Sequence, residues 1–274
     1  MFAAHAAPRA ASANPTYDMP AWRLLVSRIV TLCLVELYKI RHDRTEIYTR
    51  AIQPVLWLLI YGETFNKLKA IPTGNLPYLA YLAPGIMAQS ALFIAIFYGI
   101  QIIWERDAGV LTKLMATPTP RSALVAGKAF ASGVRAVSQV FIVLVLSAIL
   151  RIGLNWNPLH LIAALFLVVI GSAFFSMLSV TLAGLVLKRD RLMGIGQAIT
   201  MPLFFASNAL YPTHLMPAWL QVVSKVNPLS YEVDGLRGVL LNTSSNVLLD
   251  FAVLLVALVL GVIAASSLLP RLAR

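Results

Sequence analysis

One cysteine, Cys33, stands in a chain of 274 residues. A single thiol excludes an internal disulfide framework and a cysteine zinc site within one chain, and Cys33 reads as a small apolar filler. Charge is scarce as well: 12% of the residues are charged and 59% are hydrophobic, where soluble domains average about 25% charged. With a mean hydropathy of +0.80, an ordinary globular enzyme is excluded, and the polar remainder is too short for a separate soluble domain. Acid is scarcer than base, 11 residues against 22, for a net charge of +11. The basic residues flank apolar runs instead of gathering in one patch, so no nucleic-acid partner is expected. His5, His42, His160 and His214 are scattered, without a His-x-x-x-His pair or an acidic pair, and no serine has the setting of a nucleophile. No catalytic centre, metal site or cofactor is expected in this chain. A phosphate loop is missing too: Gly127-Lys128 is followed by Ala129, and Ser122 stands where the first glycine belongs. Met1–Pro20 is Ala- and Pro-rich without the apolar core of a signal peptide, and reads as a disordered cytoplasmic tail.

What is present is length in apolar runs: Ile47–Phe65, Tyr78–Ile103, Leu124–Leu150, Leu159–Leu187, Leu192–Tyr211 and Val247–Leu269. A bilayer core of about 30 Å takes roughly 20 apolar residues of helix. Six such runs make residues 21–274 one all-α polytopic membrane domain with six transmembrane helices. With both termini in the cytoplasm, 17 of the 22 basic residues fall on the inner side, and the inverted topology reverses the ratio. The third helix, counted over about 122–150, begins near Arg121, which lets Lys128 and Arg135 reach the inner interface or face protein.

Ahead of the first run, Trp22, Leu25, Val26, Ile29, Val30, Cys33, Leu37 and Ile40 recur at helical spacing, with Arg23, Arg28, Glu36 and Lys39 mostly elsewhere around the helix. A basic amphipathic helix of this kind lies along the inner leaflet, either as an anchor or as a lever joined to the first span. Gly62–Pro77 and Arg151–Pro158 read as outer loops, and Lys188–Arg191 as an inner turn that marks the positive side. No internal repeat is visible.

The inner loop after the second run opens with Glu105, Arg106 and Asp107. Val110, Leu111, Leu114 and Met115 then form an apolar stripe, closed by Pro118 and Pro120. A charged start followed by an apolar stripe suits insertion into a groove of a soluble partner; a solvated connection is the other reading. The order Glu105-Arg106-x-x-Gly109-x-Leu111-x-x-Leu114-x-x-Thr117-Pro118 resembles the coupling helix of ABC-2 type transporter permeases. On the outer side, Pro217 suits a first helical turn and Asn227-Pro228 a stop, which predicts one helix over Ala218–Val226 and a second from about Leu229. The wording Tyr211-Pro212, Met216-Pro217-x-Trp219-Leu220 and Asn227-Pro228-Leu229-Ser230-Tyr231-x-x-Asp234-x-Leu236-Arg237-Gly238 is similar to the outer re-entrant hairpin of the same family, nearest to its drug- and polyketide-exporting members.

The resemblance covers nearly the whole chain. It implies a non-catalytic permease whose Glu105–Pro118 segment docks on an ABC ATPase. Two ATPase copies and a second permease, copy or paralogue, are implied, with ATP and Mg held on the ATPase. It further implies a bacterial inner-membrane location, membrane lipids as surroundings, and a permease seam near the first and fifth spans. Polysaccharide and lipo-oligosaccharide exporters share the architecture; the large outer domain of some lipid and sterol exporters is missing here.

Gln53, Gln89, Gln101, Gln139, Gln197 and Asn208 fall in or near the runs, either as pathway lining or as helix-to-helix hydrogen bonds. Small residues from Gly171 to Gly184 predict close packing of the fourth run, and Gly194, Gly196 and Pro202 a looser fifth. Glu63, Asp250 and Arg151 fall at outer ends. With no Asp or Glu at a span centre, an ATP-driven exporter of an amphipathic or hydrophobic substrate is favoured over an ion-gradient carrier, and a scaffold or membrane enzyme ranks below both.

Overall fold

The computed structural model describes residues 21–42, 44–69, 71–74, 76–116 and 121–272. The tail expected over Met1–Pro20, together with Thr117, Pro118 and the Glu36 side chain, lies outside the described residues. Helices α1 (Ala21–His42), α2 (Arg44–Leu56), α3 (Glu63–Leu68), α4 (Tyr78–Asp107), α5 (Val110–Met115), α6 (Arg121–Ile149), α7 (Pro158–Val186), α8 (Arg189–Phe205), α9 (Ala218–Val226), α10 (Pro228–Leu241) and α11 (Val247–Leu272) follow in order. Among the described residues no strand occurs.

Among the described residues four single helices, α4, α6, α7 and α11, are long and apolar enough to cross a membrane. The first expected span is assembled from pieces. Between α2 and α3 lies a π-helical stretch, Trp57–Gly62, with helical backbone at both joints, so the path from Arg44 to Leu68 is continuous. Pro54 accounts for the irregularity, because a proline inside a helix removes one donor and crowds the carbonyl four residues back. The fifth expected span, Leu192–Tyr211, is shorter as a helix: α8 ends at Phe205, and residues 206–211 are unwound. At 1.5 Å per residue its 17 residues reach about 26 Å.

Helix α7 is the centre of the bundle and packs against α4, α6 and α11. Its small residues make this possible. Ser179 Oγ donates to the Ile96 carbonyl of α4 at 2.7 Å, and Ser132 Oγ of α6 to the Ser172 carbonyl at 3.2 Å. A Cβ on Gly99 of α4 would meet the Ser176 carbonyl oxygen at 2.7 Å and the Ser179 Cβ at 2.4 Å. Such contacts replace a hydrophobic driving force between helices that lipid does not supply.

Helix α1 runs along α6. Leu32 fits where Gly127 leaves room, and Ile29, Leu32, Cys33 and Ile40 are half-buried. Trp22, Val26, Val30, Leu34 and Leu37 stay exposed, as do Arg28 and Lys39. The apolar residues expected on one stripe are thus divided between a protein face and an open face.

Gly99→Ala is expected to cost about 1–3 kcal/mol by overpacking the α4–α7 contact, read as a lower unfolding temperature of the purified protein in detergent; Gly194, with open space at its Cβ position, is the control.

Candidate functional site

Two polar assemblies stand at opposite ends of the bundle. At the end that carries Glu105, expected on the inner side, the segment expected as one helix divides. Glu105, Arg106 and Asp107 form the last turn of α4, and α5 is a separate six-residue helix. Gly109 makes the corner with φ of 69°, a left-handed conformation that glycine adopts without strain.

Glu105 and Arg106 at this corner turn toward the neighbouring helices. Glu105 receives the Lys128 ammonium of α6 at 2.5 Å, with both side chains mostly buried. Arg106 donates to the Leu187 carbonyl at 3.1 Å, serving one of the orphan carbonyls at the end of α7, and is held at 2.8 Å by Asp107. The Arg189 guanidinium, at the start of α8, stacks over Trp104 at 4.5 Å from the ring centroid. One turn of α4 is therefore tied to α6, to the end of α7 and to the start of α8.

Three of the four residues of the apolar stripe of α5 turn inward, and Val110 is exposed. Leu111 is fully buried, and Leu114 and Met115 are half-buried against the core. Leu111, Leu114 and Met115 anchor α5 to the bundle. Asp107, Val110, Thr112 and Lys113 are among the exposed side chains of this corner.

At the opposite end, expected on the outer side, α9 and α10 follow the expected bounds, and Leu229, Val233, Leu236 and Leu240 are fully buried along α10. Asn227 joins them. Its Oδ1 accepts from the Leu229 backbone at 3.0 Å to cap α10, and its Nδ2 donates to the Leu203 carbonyl of α8 at 2.7 Å. Pro217 precedes α9, Pro228 occupies the first turn of α10, and the Tyr231 hydroxyl donates to the Lys225 carbonyl at 2.7 Å. Trp219 is exposed.

Arg237 is the hub of this end. Its guanidinium donates to the carbonyls of Tyr81, Asn208 and Ala209 at 3.2, 2.8 and 3.1 Å, and stacks on the Tyr81 ring at 3.6 Å. The Tyr81 hydroxyl donates to the Asn208 carbonyl at 3.1 Å, and the Tyr78 hydroxyl to the Leu210 carbonyl at 3.0 Å. These donors satisfy the unwound stretch 206–211, which is buried over residues 206–210. Gly85 lets that stretch approach α4, since a Cβ there would meet the Ala209 oxygen at 2.4 Å. Asp234 stands 3.8 Å from the Arg237 guanidinium and accepts from Asn208 Nδ2 at 2.6 Å. Burial pushes the Asp234 carboxyl up, and the Arg237 charge and the Asn208 amide pull it back.

Glu232, on the same helix, carries no sequence signal beyond its identity. It is fully buried, neither carboxylate oxygen has a hydrogen-bond partner among the described residues, and Gly171 of α7 makes room for it.

Long apolar helices around a small-residue α7, a polar corner on one side and a helical hairpin on the other define a polytopic helical membrane protein. Within that class, the family model of the ABC-2 type transporter matches residues 27–241. The chain belongs to the ABC-2 type transporter family. It is 32% identical over 193 residues to the putative transport permease ycf38 of Cyanophora paradoxa, covering 68% of this chain and 64% of that protein. It is 21% identical over 227 residues to the daunorubicin resistance ABC transporter permease protein DrrB1 of Streptomyces coeruleorubidus, covering 83% and 80%. Nodulation protein J of Rhizobium leguminosarum bv. viciae is 25% identical over 221 residues, covering 80% and 84%.

Arg237→Met is expected to remove a donor from three carbonyls, of which Asn208 keeps the Tyr81 hydroxyl, at about 1–3 kcal/mol for a buried group left unsatisfied. Limited proteolysis should then cut near residues 206–211, and Arg237→Lys should restore protection only in part, because an ammonium cannot span the same fork.

Proposed function

We propose that this chain is the transmembrane permease subunit of an ATP-driven exporter that moves an amphipathic or hydrophobic molecule outward. The domain crosses the membrane six times, with both termini on the inner side. ATP and Mg bind to separate ABC ATPase subunits, two copies serving a pair of permeases. Support comes from the family and from relatives named as ABC transporter permeases.

The observation that carries the reading is the inner corner. A push on the exposed side of α5 moves the end of α4. Glu105–Lys128 passes it to α6, and Arg106 and Trp104 pass it to the α7–α8 turn. One small element thus drives four long ones without bending them. The outer hairpin, pinned by Arg237, is the part that yields at the exit. An apolar groove of about 610 Å³ between α8 and the hairpin, lined by Ile199, Pro202, Leu203, Val222 and Val226, suits the greasy part of a cargo.

In vesicles holding the permease and its ATPase, the double variant Glu105→Gln, Arg106→Gln should keep nucleotide turnover and lose most cargo movement per ATP. Wild-type coupling in that variant would count against the corner as the transmission.

Glu232 favours a second reading, because a buried acid is what a proton-driven carrier uses. It lies on the hairpin and not on a span. A charge enclosed without a partner is costly, so glutamine, which keeps the shape, is the substitution the position accepts. The exporter reading expects Glu232→Gln to transport normally; abolished transport, with wild-type transport driven by a pH gradient without nucleotide, would establish the carrier instead.

A further inference from the structure

A polar crevice of about 530 Å³ opens beside the α9–α10 hairpin. It is bounded by the loop before α4, the unwound stretch and the turn after it, α10, and the loop before α11. Its volume lies within the roughly 300–1,000 Å³ of small-molecule sites. It shares no lining residue with the apolar groove between α8 and the hairpin.

The crevice exposes the unused side of the Arg237 hub. Arg237 spends Nε and Nη2 on backbone carbonyls and makes no hydrogen bond through Nη1 to the described residues. Asp234 Oδ1 stands 3.8 Å from Nη1, beyond hydrogen-bond reach, and is engaged by Asn208 Nδ2 at 2.6 Å. The Asp234 side chain is half-exposed, and its Oδ2 makes no hydrogen bond among the described residues. Asn208 is 4% exposed, and its Oδ1 receives no donor. A donor and two acceptors therefore border one gap without answering one another. A polar contact held at that distance leaves room for a bridging group.

Hydroxyls surround the gap. Thr213, Thr243 and Ser244 make no side-chain hydrogen bond to the described residues. Thr73 gives its proton to the Leu76 carbonyl at 2.6 Å, so its oxygen is left to accept. Pro72 and Pro212 add apolar walls.

The charges decide the class of ligand. Besides the exposed His214, one guanidinium and one carboxylate share the crevice, so an anion meets Asp234 and a cation meets Arg237. A hydroxyl suits both, because the same oxygen accepts from Nη1 and donates to a carboxylate or amide oxygen. Several hydroxyls on one small frame answer the whole lining at once.

We propose that this crevice binds the uncharged, polyhydroxylated unit of a saccharide, free or as the headgroup of a glycolipid. One hydroxyl bridges Arg237 Nη1 and Asp234. Thr213, Thr243 and Ser244 exchange hydrogen bonds with the others, and the C–H faces of the ring lie against Pro72 and Pro212. This goes beyond the export reading and does not depend on it.

Native mass spectrometry of the full chain, purified in lauryldimethylamine oxide so that no detergent sugar competes, tests the proposal. Monoglucosyl-dioleoylglycerol, dioleoylglycerol and dioleoylphosphatidic acid are offered at equal concentration, and the glucosyl lipid should be retained over both others. Asp234→Asn keeps an oxygen for Asn208 and turns the other acceptor into a donor. It should lower the preference about tenfold or more, the size of a lost hydrogen bond to a charged group. Ser244→Trp, at an exposed loop position, fills the crevice and should abolish the preference; it keeps the test open should Asp234→Asn disturb the hairpin. Displacement of the glucosyl lipid by excess methyl glucoside supports a site for a free saccharide; resistance to it supports a glycolipid headgroup site. Equal retention of the glucosyl lipid and dioleoylglycerol, a preference for the phosphatidic acid, or an unchanged preference in both variants overturns it. None of these results touches the export reading, since no ATPase is present.

Discussion

Unwound backbone inside a membrane protein survives only where other protein groups satisfy it. Arg237 meets that constraint beside the α9–α10 hairpin. Three carbonyls from two elements converge on one guanidinium, and two tyrosine hydroxyls of α4 serve the same stretch. The three carbonyls meet at Nη2, Nε adds a second contact to the Tyr81 carbonyl, and the flat guanidinium stacks on the Tyr81 ring, a combination an ammonium does not reproduce. Without that hub, residues 206–211 would need either helix or water. The hairpin of α9 and α10 depends on the same point, since Asn208, Asp234 and Arg237 link it to the bundle.

The inner end follows the same economy of polar groups. Glu105, Lys128, Arg106 and Arg189 form no loose surface network; each closes a gap between helices that meet at the inner face. Lys128 and Arg135 show how cations are carried within α6 at tolerable cost: they lie against an aromatic ring and, for Lys128, a carboxylate. Between the two ends, α7 gives close contact through serine and glycine instead of bulk.

Much of this was legible in the order of residues. Helices α9 and α10 start at Pro217-Ala218 and Asn227-Pro228 because a proline in the first turn and an asparagine cap act locally. Where α6 begins, near Arg121, followed from the cost of leaving Lys128 in lipid. Three features escaped. Ala206–Tyr211 is as apolar as the helix before it, so hydropathy alone extends the span through a stretch that is unwound. The stripe of α5 has the periodicity of an amphipathic helix, but periodicity does not say which neighbour the apolar side meets. Glu232 sits among polar neighbours in sequence and among helices in space.

The sequence by itself determined the membrane class, the apolar runs and the local starts and stops, because desolvation cost and backbone capping act within a few residues. It also pointed to the family through two short motifs. Only the tertiary structure decided that Glu105 meets Lys128, that Arg106 serves the end of α7, that Arg237 holds a stretch nearly thirty residues earlier in the chain, and that Thr73 and Asp234 border one crevice. Those pairings join residues far apart in the chain, and they exist because helices packed on α7 leave each buried polar group few other partners.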